Sequence, residues 1–158
     1  MIATYDWEYN EKTNPTERLS KYWEVLINGW HKPWNRELES ELSPKQKRQN
    51  KKLAWAEQKQ TIGEVGSTFT IQGFDLNYAG VILGPSVKYK NGRIVFDPES
   101  SCNTKAVRKR TLSDGTKKKF GEELLRHEVR VLMTRGVDGL FIYACDEELR
   151  EALLAAAE

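Results

Sequence analysis

A polar segment between two apolar stretches has the residue types of an anion-binding turn. It runs from Ser67 to Asp75 as Ser-Thr-Phe-Thr-Ile-Gln-Gly-Phe-Asp, and an apolar run from Tyr78 to Leu83 follows it. At Gln72-Gly73 the glycine lacks the side chain that would keep a backbone N–H group away from an anion. The segment alone is equally compatible with an ordinary turn in which the glutamine makes local hydrogen bonds. It becomes a candidate site only in combination with a second group.

That second group is Arg135, which ends the stretch Arg-Val-Leu-Met-Thr-Arg that starts at Arg130. It lies between a predicted amphipathic helix and a predicted strand, so its position is fixed while its tip stays accessible. A guanidinium held in this way can stabilise charge on a phosphoryl group that is being transferred. The alternative is a cation that only interacts with the dipole at the end of its helix, and for an isolated Thr-Arg-Gly this is the commoner situation.

The elements that must position these groups alternate between strands and helices. The sequence predicts a first strand from Ile2 to Trp7 and a short strand at Trp23–Ile27. The remaining predictions are a helix from Pro44 to about Ala56, strands at Gly63–Thr68, Tyr78–Leu83 and Gly139–Cys145, a hairpin of Val87–Lys90 and Arg93–Phe96, a helix from Gly121 to Met133 and a last helix capped by Asp146. This alternation indicates an α/β fold with a layered, mostly parallel sheet.

Size and composition point to one globular domain covering residues 1–158. Of the 158 residues, 39% are hydrophobic and 30% are charged. No run approaches the roughly 18 apolar residues of a membrane span, and no charged-then-apolar leader marks a signal peptide. The two cysteines, Cys102 and Cys145, give neither a disulfide framework nor the spacing of metal ligands. We therefore expect a cytoplasmic domain with no metal site and no membrane contact.

The formal net charge of +2 hides two basic runs. Residues 43–60 carry six Lys or Arg against one acid, and residues 102–119 carry seven against one. Basic runs can neutralise phosphates and so bind nucleic acid, whereas an isolated run is more often a solvated loop. Residues 97–118 contain few apolar side chains and are predicted to form a long, mobile basic loop. Its candidate nucleic-acid contacts are Lys105, Arg108, Lys109, Arg110, Lys117 and Lys118.

The two candidate segments, in this order, resemble motifs V and VI of superfamily 1 DNA/RNA helicases. Gln72-Gly-Phe-Asp75 resembles the Gln-Gly-Leu-Glu core of motif V, and Val131-Leu-Met-Thr-Arg-Gly136 resembles the Val-Ala-Leu-Thr-Arg-Ala core of motif VI. More closely, the chain is similar to a Schlafen-like family of bacterial DNA/RNA helicases described as ATP/GTP-binding proteins. The matching stretches begin at Ala3, Glu64, Gln72, Tyr78, Tyr89 and Val131. They span most of the chain except the tryptophan-rich region and the basic loop.

The resemblance implies a RecA-like, three-layer domain, the second of two between which ATP is bound. The first domain would supply the phosphate-binding loop and the acid that holds magnesium, and the second an arginine finger, which carries over to Arg135. Asp75 takes the position of an acid that can reach the nucleotide sugar. Gln72, Gly73 and Thr70 take the loop that couples nucleotide state to the nucleic-acid backbone, so Thr70 and Gln72 join the expected nucleic-acid contacts.

Two further residues belong to the implied nucleotide site. Thr134 precedes Arg135 in the matched motif. Trp7 follows the first strand and can stack on adenine or on a base of single-stranded nucleic acid, although core packing is the commoner role of such an aromatic residue. Two departures from the family pattern concern the same loop: Phe69 stands where many relatives have a histidine, and Asp75 is one methylene shorter than the usual glutamate.

The phosphate-binding half of the implied site is absent from the sequence. No Gly-x-x-x-x-Gly-Lys-Ser/Thr occurs, and no apolar strand ends in paired acids. The sequence therefore predicts that ATP and Mg²⁺ bind only together with an N-terminal RecA-like domain of the same polypeptide, and that the chain alone hydrolyses no ATP. DNA or RNA is the other expected partner. The alternative is a non-catalytic module that keeps the fold and binds nucleic acid or a protein.

Overall fold

The chain contains both strands and α-helices, and the computed structural model describes its residues 1–13, 15 and 20–157. The strands are β1 (Ile2–Ala3), β2 (Glu24–Ile27), β3 (Trp30–Pro33), β4 (Leu76–Leu83), β5 (Val87–Lys90), β6 (Arg93–Phe96), β7 (Arg110–Thr111), β8 (Lys117–Lys118) and β9 (Gly136–Ala144). The α-helices are α1 (Pro44–Asn50), α2 (Thr104–Val107), α3 (Gly121–Met133) and α4 (Glu147–Ala157). Short 3-10 turns lie at Glu37–Glu41, Trp55–Glu57, Lys59–Gly63 and Pro98–Ser100.

Three parallel strands form the central sheet, in the order β1-β4-β9. Single parallel bridges extend it beyond β1, where Gly66 pairs with Ile2 and Val65 pairs with Trp34. A strand was predicted at Gly63–Thr68, but only these two bridges form there. Gly63 belongs to a 3-10 turn, and Ser67 begins the next turn. The prediction of a mixed α/β fold with a parallel sheet is confirmed.

The strand register divides the core between the two faces of the sheet. Ile2 lies beside Val81 on the first face and packs in one hydrophobic cluster with side chains from α3 and α4. Ala3 lies beside Ile82 on the second face and packs with Trp34 and the β2–β3 hairpin. Neighbouring residues of a strand point to opposite faces, so a single register fixes both clusters. Around β1 the sheet is covered by helices on one face and by a hairpin on the other.

Two helices show where local signals decide the helix ends. The helix α3 begins and ends where its apolar periodicity predicts. The helix α1 starts as predicted, with Ser43 and Gln46 forming a capping box, but ends at Asn50 rather than near Ala56. None of its residues is buried. A helix that packs against nothing has little to extend it beyond its cap, since most helical stability in proteins comes from tertiary packing.

The segment predicted as one long mobile loop, residues 97–118, instead contains a 3-10 turn, the helix α2 and the β7–β8 ribbon. Hydrogen bonds attach it to the rest of the fold: the backbone N–H of Cys102 donates to the carbonyl oxygen of Tyr5 at 3.0 Å. The Nδ2 group of Asn103 donates to Oε2 of Glu128 at 3.3 Å. These are polar contacts, which a prediction based on hydrophobic content does not detect.

No helix in the described ranges is long and apolar enough to cross a membrane.

Candidate functional site

The two candidate segments meet at the amino end of the parallel sheet. Asp75 directly precedes β4, and Arg135 directly precedes β9. The strands β4 and β9 are parallel neighbours, so their amino ends lie side by side. The backbone N–H of Leu76 donates to the carbonyl oxygen of Arg135 at 2.8 Å. The sheet thus joins the turn that ends at Asp75 to the end of α3.

The guanidinium of Arg135 contacts both segments. Its Nη1 donates to the carbonyl oxygen of Phe74 at 3.1 Å and lies 3.1 Å from Oδ1 of Asp75. Its Nε donates to the carbonyl oxygen of Val131, also at 3.1 Å. The side chain is 22% exposed. Arg135 is therefore held by backbone carbonyl groups and by Asp75, and part of its side chain is exposed.

Neighbouring residues fix the groups that hold Arg135. Phe74 packs against the hydrophobic cluster on the first face of the sheet, which gives its carbonyl a defined position. The hydroxyl of Thr134 donates to the carbonyl oxygens of Arg130 and Val131 at 3.0 and 3.2 Å, and it accepts from Nη2 of Arg135 at 3.4 Å. Thr134 therefore contacts the predicted site through Arg135 and the last turn of α3.

The carboxylate of Asp75 is paired with Arg135, and 60% of the Asp75 side chain is exposed. An ion pair as exposed as this contributes about 1 kcal/mol or less to stability. A phosphate can therefore replace Asp75 at the guanidinium at small cost. The contact with a nucleotide sugar stays a prediction for Asp75, whose exposed carboxylate has a second oxygen besides the one that contacts Arg135.

Gln72 and Gly73 are exposed at the tip of the turn that precedes Asp75. Gly73 has φ +87°, a left-handed conformation that residues with a side chain rarely adopt. A Cβ atom at this position would meet nothing within 4 Å. The glycine is thus required by the backbone of the turn, and the surface above it is open.

Thr70 lies within the same segment but does not present its hydroxyl to the Arg135 site. It is 4% exposed. Its Oγ1 donates to the carbonyl oxygen of Ser67 at 2.8 Å and accepts from the backbone N–H of Ser67 at 2.9 Å. The hydroxyl therefore closes the turn at the carboxyl end of the Val65–Gly66 bridges, and a phosphate contact by Thr70 would require this turn to open.

The structure does not bring Trp7 to the Arg135 site either. Trp7 packs edge-on against Trp34 with 6.1 Å between ring centroids, and its Nε1 donates to the carbonyl oxygen of Leu26 at 3.3 Å. These contacts lie at the carboxyl end of β1. The eight-residue strand β4 separates the two ends of the sheet by roughly 23 Å. Packing, the alternative that the sequence left open for Trp7, is what the structure shows.

The predicted nucleic-acid cations lie on α2, on the β7–β8 ribbon and on the two residues between α2 and β7. All six are exposed: Lys105, Arg108, Lys109, Arg110, Lys117 and Lys118. Arg110 stands directly opposite Lys118 in the ribbon. Like charges in opposed positions repel each other, so an anion bound to the ribbon would relieve this repulsion.

Sequence reasoning missed Glu128, a buried acid on α3. Glu128 is 7% exposed; its Oε1 accepts from the backbone N–H of Tyr5 at 2.7 Å and its Oε2 from the side chain of Asn103. Burial raises the pKa of the Glu128 carboxyl to about 7, against the opposing effect of these hydrogen bonds. Its spacing from Leu125 and Leu132, three and four residues away, places it on the buried face of α3. This spacing is the sequence signal that could have identified Glu128 as a buried acid.

These observations define a mixed α/β domain in which an arginine is held between two loops at the amino end of a parallel sheet. Residues 1–146 match the family model described as Schlafen group 3, DNA/RNA helicase domain, and the chain belongs to that family. The chain is also 38% identical over 159 residues to uncharacterized protein YPL245W of Saccharomyces cerevisiae, an alignment that covers 98% of this chain and 31% of that protein. It thus spans about a third of the length of this relative. No solved structure matches the chain.

Proposed function

We propose that the chain is the second, RecA-like motor domain of a nucleic-acid-dependent ATPase, a DNA/RNA helicase or translocase. The observation that carries this proposal is the position of Arg135, whose guanidinium is held between the two loops that resemble helicase motifs. A planar cation that is fixed by backbone carbonyl groups and partly exposed is suited to stabilise the charge on a transferring phosphoryl group. Membership of a helicase-domain family supports the same reaction class.

In this proposal ATP lies between this chain and an N-terminal RecA-like domain of the same polypeptide. This chain contributes Arg135, Asp75 and the Gln72-Gly73 turn. In the described part of the chain, no three His, Cys, Asp or Glu side chains are grouped to hold a metal ion. We assign the phosphate-binding loop and the ligands of Mg²⁺ to the other domain. Bound Mg²⁺ would neutralise charge on the β- and γ-phosphate oxygens.

Closure of the two domains would change the partners of Arg135. Its guanidinium exchanges the exposed carboxylate of Asp75 for phosphoryl oxygens and keeps its hydrogen bonds to the carbonyl oxygens of Phe74 and Val131. The released Asp75 is then free to accept hydrogen bonds from the nucleotide sugar. When phosphate leaves, Arg135 returns to Asp75 and the domains open, which couples hydrolysis to movement.

An exposed apolar surface offers a docking position for the N-terminal domain. Tyr78 and Phe141 are 65% and 67% exposed on the second face of the sheet, and Val137 at the start of β9 is 70% exposed. Parallel sheets are normally covered on both faces. This surface starts within three residues of Asp75 and Arg135, and the yeast relative is about three times as long as the alignment to this chain. We assign its cover to the N-terminal domain of the same polypeptide.

Nucleic-acid binding is tested by titrating the chain against single-stranded DNA and RNA oligonucleotides at increasing salt. Phosphate contacts should give a steep loss of affinity, because each contact releases condensed counterions. Replacing both Lys105 and Arg108 with alanine should flatten the slope of log K against log salt by about 0.7 for each phosphate that is no longer neutralised. Fluorescence anisotropy measures both quantities.

The matched control removes the same charge from the other basic run, with Lys45→Ala and Lys47→Ala in the exposed helix α1. These substitutions should leave the slope unchanged. An equal effect of both pairs would show that net charge alone binds the strand and would reject the assigned surface. Absence of binding even at low salt would reject the nucleic-acid part of the proposed function for this chain.

A further inference from the structure

A cavity lies at the carboxyl end of the sheet, the end opposite to Arg135. Its volume is about 530 Å³. Aromatic, amide and basic side chains dominate its lining: Tyr5, Tyr9, Phe69, Asn10, Asn35 and Lys105. We propose that this cavity binds a single unstacked nucleobase of a DNA or RNA strand. The inference rests on the proposed function and adds the place where the strand would be held through a base.

Three neighbouring parallel segments supply the cavity. Tyr5 follows β1, Asn35 follows Trp34, and Phe69 follows the Val65–Gly66 bridges. The backbone N–H of Asn35 donates to the carbonyl oxygen of Val65 at 2.9 Å, which keeps these segments in register. Ligands of open α/β sheets bind in the crevice outside the carboxyl ends of the strands. The cavity therefore occupies the position in the fold where a ligand is expected.

Phe69 provides a stacking surface at the mouth of the cavity. Its side chain is 44% exposed, although it is a large apolar residue. The ring of Tyr5 packs edge-on against it with 5.5 Å between centroids. The ammonium of Lys105 lies 5.7 Å from the centroid of the Phe69 ring. The ammonium over the ring would contact the phosphate of a nucleotide whose base stacks on the exposed part of Phe69.

Asn35 provides hydrogen-bond donors inside the cavity. It is 8% exposed, and its Oδ1 accepts from the hydroxyl of Ser67 at 2.7 Å. Within the described ranges, no group accepts a hydrogen bond from its Nδ2, so both of its N–H groups remain for the ring nitrogen or carbonyl oxygen of a base. Asn35 and Arg36 also have φ values of +57° and +75°. Asn tolerates this conformation, whereas it is uncommon for Arg, and such backbone outliers cluster at ligand sites.

The surrounding charges fit a strand rather than an isolated base. Lys105 lies in α2, and the exposed Arg108 and Lys109 follow it along the chain. The Nη2 group of Arg110 donates to the carbonyl oxygen of Lys105 at 3.4 Å, which connects the β7–β8 ribbon to α2. The phosphates on either side of the bound base would contact this basic surface.

The test compares an intact oligonucleotide with an abasic strand of the same length and phosphate number. The chain should bind the intact strand roughly 5- to 150-fold more tightly, the range expected when a base stacks on an aromatic side chain. Phe69→Ala should remove much of this difference and leave the affinity for the abasic strand unchanged. Asn35→Asp also adds a negative charge that repels both strands, so it should weaken binding of the intact strand more than binding of the abasic strand. Asn35→Asp keeps an oxygen for Ser67 and a side chain that tolerates the left-handed conformation, while it removes the two N–H donors.

Ile94→Ala is the control, because Ile94 is an exposed apolar residue on β6, away from the cavity. It should change neither affinity, and circular dichroism checks that each variant is folded. Equal binding of intact and abasic strands, or equal weakening of both by the two cavity variants, would overturn the base pocket and leave nucleic-acid binding intact. Binding of a mononucleotide as tightly as the strand would assign the cavity to a free nucleotide instead. Absence of binding to every strand at low salt would overturn both proposals.

Discussion

Replacing Arg135 with alanine in the proposed two-domain ATPase should lower kcat for ATP hydrolysis by about 10³-fold or more, the effect of removing an arginine finger. The guanidinium would contact phosphoryl oxygens mainly when charge develops on them, so KM for ATP should change much less. Steady-state hydrolysis with saturating single-stranded nucleic acid measures both constants.

The control is Arg130→Ala, which removes an exposed arginine from the same helix about one turn earlier. Its kcat should stay within a few-fold of the wild-type value. Arg135→Lys should not restore activity, because an ammonium group cannot reach phosphate and also bond the carbonyl oxygens of Phe74 and Val131 as the planar guanidinium does. Similar kcat values for Arg135→Ala and Arg130→Ala would remove Arg135 from the reaction.

The free energy of unfolding of the chain should fall as the pH rises from about 5 to 8. Glu128→Gln should make this fall smaller, because Glu128 causes part of it. The pKa of Glu128 is raised from 4.5 to about 7 in the folded chain, mainly by burial. Between these values the folded state keeps a proton that the unfolded state releases, so the stabilisation is full below pH 4.5 and is lost as the pH rises through 7. The share of Glu128 is up to about 3 kcal/mol.

Urea unfolding of both proteins at pH 5 and pH 8 measures this share. Burial also raises the pKa of Asp6 and Glu64, so some pH dependence of the same sign should remain in the variant. Glu123→Gln, which changes an exposed acid on the same helix, should behave like the wild type. Identical pH dependence in the wild type and in Glu128→Gln would show that Glu128 does not carry the extra proton.

This titration also concerns the proposed sites, because Glu128 joins three of the elements that form them. It lies on α3, whose end positions Arg135, and it accepts hydrogen bonds from the backbone of Tyr5 and from Asn103. Tyr5 and Asn103 both line the cavity at the carboxyl end of the sheet. Ionisation of Glu128 is opposed by burial, whereas the hydrogen bonds from Tyr5 and Asn103 favour the ionised form.

Elements with strong local patterns could be predicted from the sequence. The apolar run at Tyr78–Leu83 forms most of β4. Asn91-Gly92 is a dipeptide typical of two-residue hairpin turns, and it joins β5 to β6. The β2–β3 hairpin was missed although its turn, Asn28-Gly29, is of the same kind. The φ values are +47° and +84° in that turn and +53° and +77° in the turn of β5–β6. The difference was the second strand: Trp30–Pro33 lacks the alternating apolar pattern of an obvious strand.

Chain order and motif resemblance could predict which residues belong to the candidate site, but not how these residues contact each other. The order of the motifs indicated that Asp75 and Arg135 belong to one site. In the structure, Oδ1 of Asp75 lies 3.1 Å from Nη1 of Arg135. That they pair with each other depends on the register of β4 against β9, which no local pattern encodes. The same is true of Asn35, whose role in the cavity depends on segments that are 32 residues apart in the chain.

The most direct test of the proposed function is ATP turnover by the purified 158-residue chain, measured with Mg²⁺ and single-stranded nucleic acid. Half of an ATP site is assigned to this chain, with Arg135 present and the phosphate-binding loop absent. We therefore expect no turnover above background. Magnesium-dependent turnover that Arg135→Ala abolishes would contradict the assignment, because the chain would then contain a complete site.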